Sequence, residues 1–413
     1  MTEQAFIPFH RPQIDEAEIN EVVSTLRSGW LTTGGRTAQF EKEFREYVGA
    51  RHALAVNSGT AAMHLALAAL GVGPGDEVIT TPLTFCATVT VILHAGAIPV
   101  LADIGADGNI DPSSIETRVT SRTKAILPVH FGGAPCDMNR IWQIAKKHNL
   151  KVIEDAAHAA GTFYEDKHVG AEGYPSEAVA FSFYATKNLT TGEGGMVTTN
   201  DETLVNRMRM LALHGINRDA WGRYKQNGNW YYEVHEAGFK YNLSDLQSAV
   251  GIHQLHKLER SIEQRARYAR LYTERLGDLE EIELPEDSPI GRHAWHLYAI
   301  RLNLERLKID RAAFISELRV RNIGASVHFI PVPLHPFFQA IDGNAADDCP
   351  QCMALYPRLI SLPLYPAMSE GEVERVAECV RDIVARFRKP APGRELELEP
   401  DVTTAQPVGG SVV

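Results

Sequence analysis

One lysine has the neighbours of a reactive group. Lys187 lies in FSFYATKNLTTGEGG, residues 181–195, between an apolar strand-like run and a loop of Thr, Gly and Glu. A lysine there is a solvated loop residue, a phosphate ligand, or an amine that forms an imine with a carbonyl. The phosphate-loop reading fails on spacing. G-x-x-x-x-G-K-[ST] puts glycine directly before the lysine, and here Ala185-Thr186 precede it. No G-x-G-x-x-G stands at the first strand–helix junction, which weakens a nicotinamide reading.

The imine reading has companions. NSGTA, residues 57–61, falls where a strand turns into a helix. Gly59 lets the backbone come close, and Thr60 with the following N–H groups can cradle a phosphate at the positive helix end. Asp155 ends the apolar run KVIED, and Ser182 offers a hydroxyl five positions before Lys187. Each also has a plain structural reading as a helix start, a cap, or a polar residue on a strand face. Together they match the needs of pyridoxal 5'-phosphate: a lysine for its aldehyde, an acid for its ring nitrogen, hydroxyls and N–H groups for its phosphate. The same lysine, once released, can shuttle a proton between substrate and cofactor carbons.

These residues need a scaffold. Apolar strand-like runs (ALAVN, EVITT, AIPVLAD, KAILPVHF, KVIEDAAH) alternate with helical patterns (TAAMHLALAAL, CATVTVILHAG, a helix opened by Asp111-Pro112, DMNRIWQIAKKHN). Such alternation predicts an α/β fold whose sheet binds ligands at the carboxyl ends of its strands. AVAFSFY and GGMVTTN follow with no room for a helix between them, so the sheet is expected to be mixed but mostly parallel. Before the sheet, residues 15–27 read as an amphipathic helix ended by Ser28-Gly29. A helix over about 201–213 is followed by the aromatic-rich segment 214–242, a loop long enough to be functional or packed on a partner. One long helix is predicted from Ser244 to Gly277.

The division predicted is 1–277 as an N-terminal arm, a large domain and the long helix, and 278–388 as a smaller α+β domain. In the latter WHLYAIRL and ASVHFI read as strands, and DRAAFISELRVRN and SEGEVERVAECVRDIVARFR as helices. Residues 389–413 read as a disordered tail, Pro/Gly-rich and acidic.

Composition sets the outer bounds. The 413 residues are 44% hydrophobic and 23% charged, as in soluble globular proteins. A net charge of -11 gives nucleic-acid binding no electrostatic support. No signal peptide or membrane-length run is seen, so the default compartment is the cytoplasm. Five cysteines argue against a disulfide framework, and the C-x-x-C of DCPQC has no partner pair, so it reads as two thiols near a helix start. HAWH, on a predicted strand, would point its histidines to opposite faces, which argues against a shared metal. No metal site is expected.

SGWLTTG, NSGTAAMHLAL, GDEVITTPLTF, PVHFGGAPCDM, VIEDAAHAAGT, FSFYATKNLTTGEGG and GFKYNLSDLQSAVG together resemble the DegT/DnrJ/EryC1/StrS family of sugar aminotransferases, from residue 9 to about 388. HAWHLYAIRL and GASVHFIPV look most like the UDP-4-amino-4-deoxy-L-arabinose aminotransferase branch. The resemblance implies the aspartate aminotransferase (type I) fold. It gives Lys187 the imine link and Asp155 the pyridine nitrogen. Ser182, Gly59 and Thr60 would take the phosphate, Phe85 the stacking place, and His158 a place near the phenolic oxygen, where many relatives have Gln. Asn242 would reach the cofactor of a neighbouring subunit, implying a homodimer. Trp30, Tyr184, His214 and His328 are the substrate-pocket candidates. Phe85 and Tyr184 depart from the Trp and His of the arabinose branch. The implied reaction carries the amino group of glutamate to a nucleotide-linked keto sugar, at C4 of a UDP-sugar. A 3-keto sugar, an inosose, or a noncatalytic cofactor-binding regulator are the alternatives. A dehydratase is disfavoured, because relatives of that kind resemble this chain with His in place of the lysine.

Overall fold

The computed structural model describes residues 5–216 and 231–390. The expected tail beyond 390, and WGRYKQNGNW of the aromatic-rich segment, lie outside them.

Alternation along the strands builds the main layer. A seven-stranded sheet has the order β1 (His52–Val56), β9 (Gly195–Thr199), β8 (Ala178–Ser182), β5 (Lys151–Asp155), β4 (Thr123–Leu127), β2 (Glu77–Thr80), β3 (Ile98–Leu101). β9 runs antiparallel to both neighbours, and the other pairings are parallel. Successive strand residues serve opposite faces. Ala53, Ile79, Ile126, Val152, Phe181 and Met196 join one core with Phe40 and Phe44. Leu54, Val78, Leu127, Ile153, Ala180 and Val197 join the other. Both faces are covered, which is why these strands are apolar throughout.

The helices α1 (Glu16–Ser28), α2 (Gly35–Val48), α3 (Gly59–Ala69), α4 (Ala87–His94), α5 (Pro112–Arg118), α6 (Met138–His148) and α7 (Glu202–Leu211) flank this sheet. α3 is apolar nearly all round because it is wedged between the sheet and α4 and α7. The expected single helix from Ser244 is two, α8 (Asp245–His256) and α9 (Leu258–Leu276), broken at Lys257. α9 joins two cores: Leu258 and Ile262 pack under the large sheet, Tyr268, Tyr272 and Leu276 in the next.

That next core belongs to a three-stranded antiparallel sheet, β10 (Ile282–Glu283), β11 (Tyr298–Leu302) and β12 (Leu359–Leu362), packed on α10 (Arg311–Val320) and α13 (Glu370–Phe387). Two expected strands are corrected here. WHLYAIRL forms a strand only from Tyr298, because Trp295 adopts a left-handed φ of 47° and breaks the extended run. ASVHFI forms no strand and contributes only an isolated bridge from Ser326 to Ser361. A short hairpin of β6 (Phe163–Tyr164) and β7 (Lys167–His168), and the short helices α11 (Pro336–Ile341) and α12 (Pro350–Leu355), complete the described elements. Among the described residues no helix is long and apolar enough to cross a membrane.

Candidate active site

The carboxyl ends of β1, β5 and β8 meet around Lys187. It follows β8 on a turn closed by its own N–H to the Tyr184 carbonyl at 2.9 Å. Burial pushes its ammonium pKa down to about 8, and the Asp155 carboxylate pulls the other way. Asp155, the last residue of β5, is buried. Thr88 Oγ1 donates to its Oδ2 at 2.8 Å, and the Ala157 N–H donates to Oδ1 at 3.0 Å. Burial still raises its pKa against these bonds and against the charge of Lys187. Behind it, His130 Nε2 and Glu154 Oε2 pair at 2.8 Å, both fully buried. The Cys136 N–H donates to His130 Nδ1, which leaves Nε2–H as the donor to Glu154.

An anion cradle lies at the start of α3. The Ser58 hydroxyl caps the helix by accepting from Ala61 N–H at 3.0 Å. The N–H groups of Gly59 and Thr60 have no acceptor within the helix. A Cβ on Gly59 would stand 2.9 Å from the Cβ of Ser182, so only glycine lets this helix end meet β8. Gly195, opposite Ser182 in the register, makes the matching approach to Ser58. Positive helix end, free N–H groups and the Ser182 hydroxyl thus face one space.

Aromatic rings form the other wall. His158 is buried and stacks on Phe329, centroids 5.6 Å apart and planes at 16°. Phe329 meets the exposed ring of Phe85 at 6.1 Å. Burial holds His158 well below the ordinary histidine value. His328 is pushed down to about 4 by burial and by the charge of Lys187, and pairs through Nδ1 with Ser361 Oγ at 2.9 Å. Tyr184 stands exposed beside the lysine turn.

Among the described residues Trp30 and His214 are not joined to this chamber, and Asn242 reaches only its β1 edge. Trp30 Nε1 donates to the Thr33 carbonyl at 3.1 Å, and Asn242 Nδ2 donates to Thr33 Oγ1 at 2.7 Å. Trp30 follows α1, whereas Asn242 lies just before α8 and bridges Val56 at the carboxyl end of β1. His214 is exposed, with a φ of 59° and its N–H on the Phe239 carbonyl. Two surface clefts of about 670 and 560 Å³ include neither Lys187 nor Asp155. The chemistry therefore sits apart from them.

Sequence reasoning missed Thr88, the His130–Glu154 pair, Phe329, Asn188 and His296. Asn188 directly follows Lys187, and Thr88 lies in the TTPLTFCAT segment, so position was the available signal for both. HAWH gives His296 no signal beyond its spacing from His293.

Comparison with known proteins follows the same lines. Residues 12–381 match the DegT/DnrJ/EryC1/StrS aminotransferase family model. The spore coat polysaccharide biosynthesis protein SpsC of Bacillus subtilis is 51% identical over 381 residues, 92% of this chain and 97% of that protein. An uncharacterized protein of Methanocaldococcus jannaschii is 49% identical over 94% of this chain and its own whole length. Among solved structures, a Streptococcus pneumoniae protein designated a sugar aminotransferase superposes in its PMP form with a TM-score of 0.86, at 32% identity over 92% of this chain and 99% of that one. It is also known in a PLP form. Helicobacter pylori PseC, an aminotransferase involved in pseudoaminic acid biosynthesis, gives 0.84 at 30% identity over 93% of this chain and 100% of its own.

Proposed function

Since the chain belongs to the DegT/DnrJ/EryC1/StrS aminotransferase family, we propose that it moves the amino group of glutamate to a nucleotide-linked keto sugar, at C4 of a UDP-linked substrate. Its coarser identity is established: a sugar aminotransferase of the type I fold that uses pyridoxal 5'-phosphate. The observation that carries the aminotransfer chemistry is the mutual action of Lys187 and Asp155, a half-buried amine and a buried carboxylate beside one anion cradle.

The residues present fit the cofactor. The Gly59–Ser182 approach leaves a cradle that a Cβ would fill. Asp155 is a carboxylate braced by two donors. Lys187 would hold the aldehyde, Asp155 the ring nitrogen, and Gly59, Thr60 and Ser182 the phosphate. Phe85 would cover the ring and His158 would serve the phenolic oxygen. Bound there, pyridoxal phosphate supplies an electron sink for the carbon that loses its proton. Lys187 moves that proton. An amine with a pKa of about 8 is available as base and as acid near neutral pH. The Asp155 charge favours a protonated ring nitrogen. Tyr184 and His328 would face the sugar nucleotide, and Trp30 and His214, which lie outside the chamber within one chain, would reach it from a second copy.

A sugar bound for a polymer supports the nucleotide link, since the SpsC relative acts in polysaccharide biosynthesis and sugars enter polymers in activated form. A homodimer with shared sites is supported by α1, which turns Ile19 and Leu26 outward next to the loop of Trp30 and Thr33, to which Asn242 donates.

The test is product identification after incubation with glutamate and a panel of UDP-, GDP- and dTDP-linked 4-keto and 3-keto sugars and an inosose. Amination at C4 of a UDP-sugar is expected. A C3 product or an aminated inosose would replace the substrate assignment. A cofactor spectrum unmoved by glutamate would mark a binding protein instead.

A further inference from the structure

The amide of Asn188 joins three segments. Its Nδ2 donates to the Ala294 carbonyl at 3.0 Å and to the Ala160 carbonyl at 3.4 Å. Carbonyls only accept, so the orientation of this amide is fixed, and Oδ1 is left as an acceptor. His296 Nδ1 lies 3.2 Å from that Oδ1. His296 therefore carries its proton on Nδ1. The ring of His296 lies against that of His158, centroids 4.3 Å apart and planes at 31°. On His158, Nδ1 accepts from the Gly132 N–H at 3.3 Å. Its proton is therefore on Nε2. Phe329 also stacks on the ring of His158. His158 is thus packed by two rings, with its tautomer set by a backbone N–H.

Asn188 follows the lysine in sequence, Ala160 follows His158 by two residues, and Ala294 precedes His296 by two. One amide ties the lysine turn, the loop after β5 and the segment leading into β11. The groups whose charge acts on the two rings are Lys187 from the turn, Arg265 from α9 and His328 after α10. All are bases. Burial is the main obstacle to a proton on either imidazole, these bases add to it, and among the described residues no acid is in contact with either ring.

We propose that Asn188 and His296 are positioning residues that hold the His158 ring where the Gly132 N–H reaches its Nδ1, and so keep it the Nε2–H tautomer, a hydrogen-bond donor for the cofactor chamber beside Lys187. This rests on the reading of the site given above. The donor suits an anionic oxygen on the ligand bound there, and a fixed neutral donor stabilises that oxygen without competing for its proton. Asn188 and His296 touch neither Lys187 nor the chamber through any hydrogen bond of their own side chains; they act through His158 and through the three backbones they join.

The direct test is ¹⁵N NMR of histidine-labelled holoenzyme, with the His158 signals identified by their loss in His158→Asn. Unmutated protein is expected to show the Nε2–H pattern for His158 and the Nδ1–H pattern for His296 across pH 6–8 (about the working range of a His switch). An Nδ1–H or doubly protonated His158 overturns the proposal, and this readout needs no substitution to fold. The same spectrum of cofactor-free protein separates this failure from failure of the cofactor reading, which would appear as a protein without the visible chromophore. In Asn188→Leu and His296→Phe, mixed His158 tautomers are expected, together with a displaced pH titration of the cofactor absorbance. kcat should fall by up to roughly 100-fold, the scale of a misplaced catalytic contact. The KM for glutamate should change by less than about threefold, since the substrate is not touched. A folded variant with the parent tautomer pattern and an unmoved absorbance titration would assign both residues to packing alone.

Discussion

Thr88 Oγ1 donates a 2.8 Å hydrogen bond to Asp155 Oδ2, from the first turn of α4 to the end of β5. That bond lowers a carboxyl pKa that burial raises. Thr88→Val keeps the shape and removes the donor, so the carboxylate becomes harder to ionise. A hydrogen bond to a charged group contributes about 1.5–3 kcal/mol, so cofactor affinity should fall by about tenfold or more. The acid limb of the pH–rate profile should move to higher pH. Titration of the cofactor-free variant with pyridoxal phosphate checks the first, and kcat/KM against pH the second; parent values in both would remove Thr88 from the site.

Gly59 tests the cradle. A Cβ there would lie 2.9 Å from Ser182 Cβ and 3.2 Å from its Cα, contacts that flexible side-chain ends cannot relieve. Gly59→Ala must push α3 away from β8 at the place where the phosphate would sit. Overpacking of this kind costs about 1–3 kcal/mol of stability. Loss of phosphate affinity should exceed the loss of stability, and inorganic phosphate binding by the cofactor-free protein is the comparison to make.

Lys187 carries a stability signature in the cofactor-free protein. Its pKa is lowered from 10.5 to about 8, chiefly by burial. A base whose folded pKa is depressed binds its proton more weakly folded than unfolded. The penalty is full below about pH 8 and fades as pH rises toward 10.5. Lys187→Met should therefore stabilise the cofactor-free protein at pH 7, by on the order of 2 kcal/mol. The gain should shrink between pH 8 and 10.5. Urea denaturation at pH 7 and pH 10 reads both, and a gain equal at the two pH values would place Lys187 in solvent.

The strands of the main sheet were legible because each is a short apolar run bounded by turn residues, and the candidates Asp155 and Lys187 because one ends such a run and the other follows one on a short turn. α2 was not legible, and Asp245 explains why. Its N-cap is Gly34, which offers no side chain. The capping oxygen comes from Asp245 Oδ1, which accepts from Gly34 N–H at 2.8 Å, Thr37 N–H at 2.9 Å and Thr37 Oγ1 at 2.7 Å. A cap supplied from over 200 residues away leaves no local signal. The break at Lys257 likewise lacks Gly or Pro, and its cause is the divergence of α8 and α9 toward different contacts. His158 and His328 were visible only through the resemblance, since ring stacking across distant segments has no spacing in sequence.

The C-x-x-C pair was read as two thiols near a helix start, and Cys349 is the N-cap of α12. The anion at that helix end is the carboxylate of Asp103, which accepts from Gln351 N–H at 2.7 Å and Cys352 N–H at 3.0 Å. With the helix end already satisfied and both thiols buried, Cys349 is pushed up to about 12 and Cys352 is also raised. Neither should react with Ellman's reagent at pH 8 in native protein, and both should react after denaturation. Fast native labelling of either, located by peptide mass, would contradict that placement.

α1 is built inside out for a monomer. Glu18 and Thr25 face α8 and are buried, at 2% and 0% exposure, while Ile19 and Leu26 are 47% and 53% exposed. Glu18 is paid for inwardly by Lys257 Nζ at 2.6 Å and Gln254 Nε2 at 2.7 Å. Nothing comparable accounts for an outward apolar face, and its burial would contribute about 25 cal/mol per Å². Leu31, also exposed, extends the same side next to Trp30. A second copy of the chain seated there would cover this face and bring the Thr33–Asn242 corner toward another site. Leu26→Glu should then yield monomer in sedimentation at micromolar concentration, with helix content kept and aminotransfer lost by about 100-fold or more, because each site would lack its neighbour's residues. A variant that stays dimeric and fully active would move the interface away from α1.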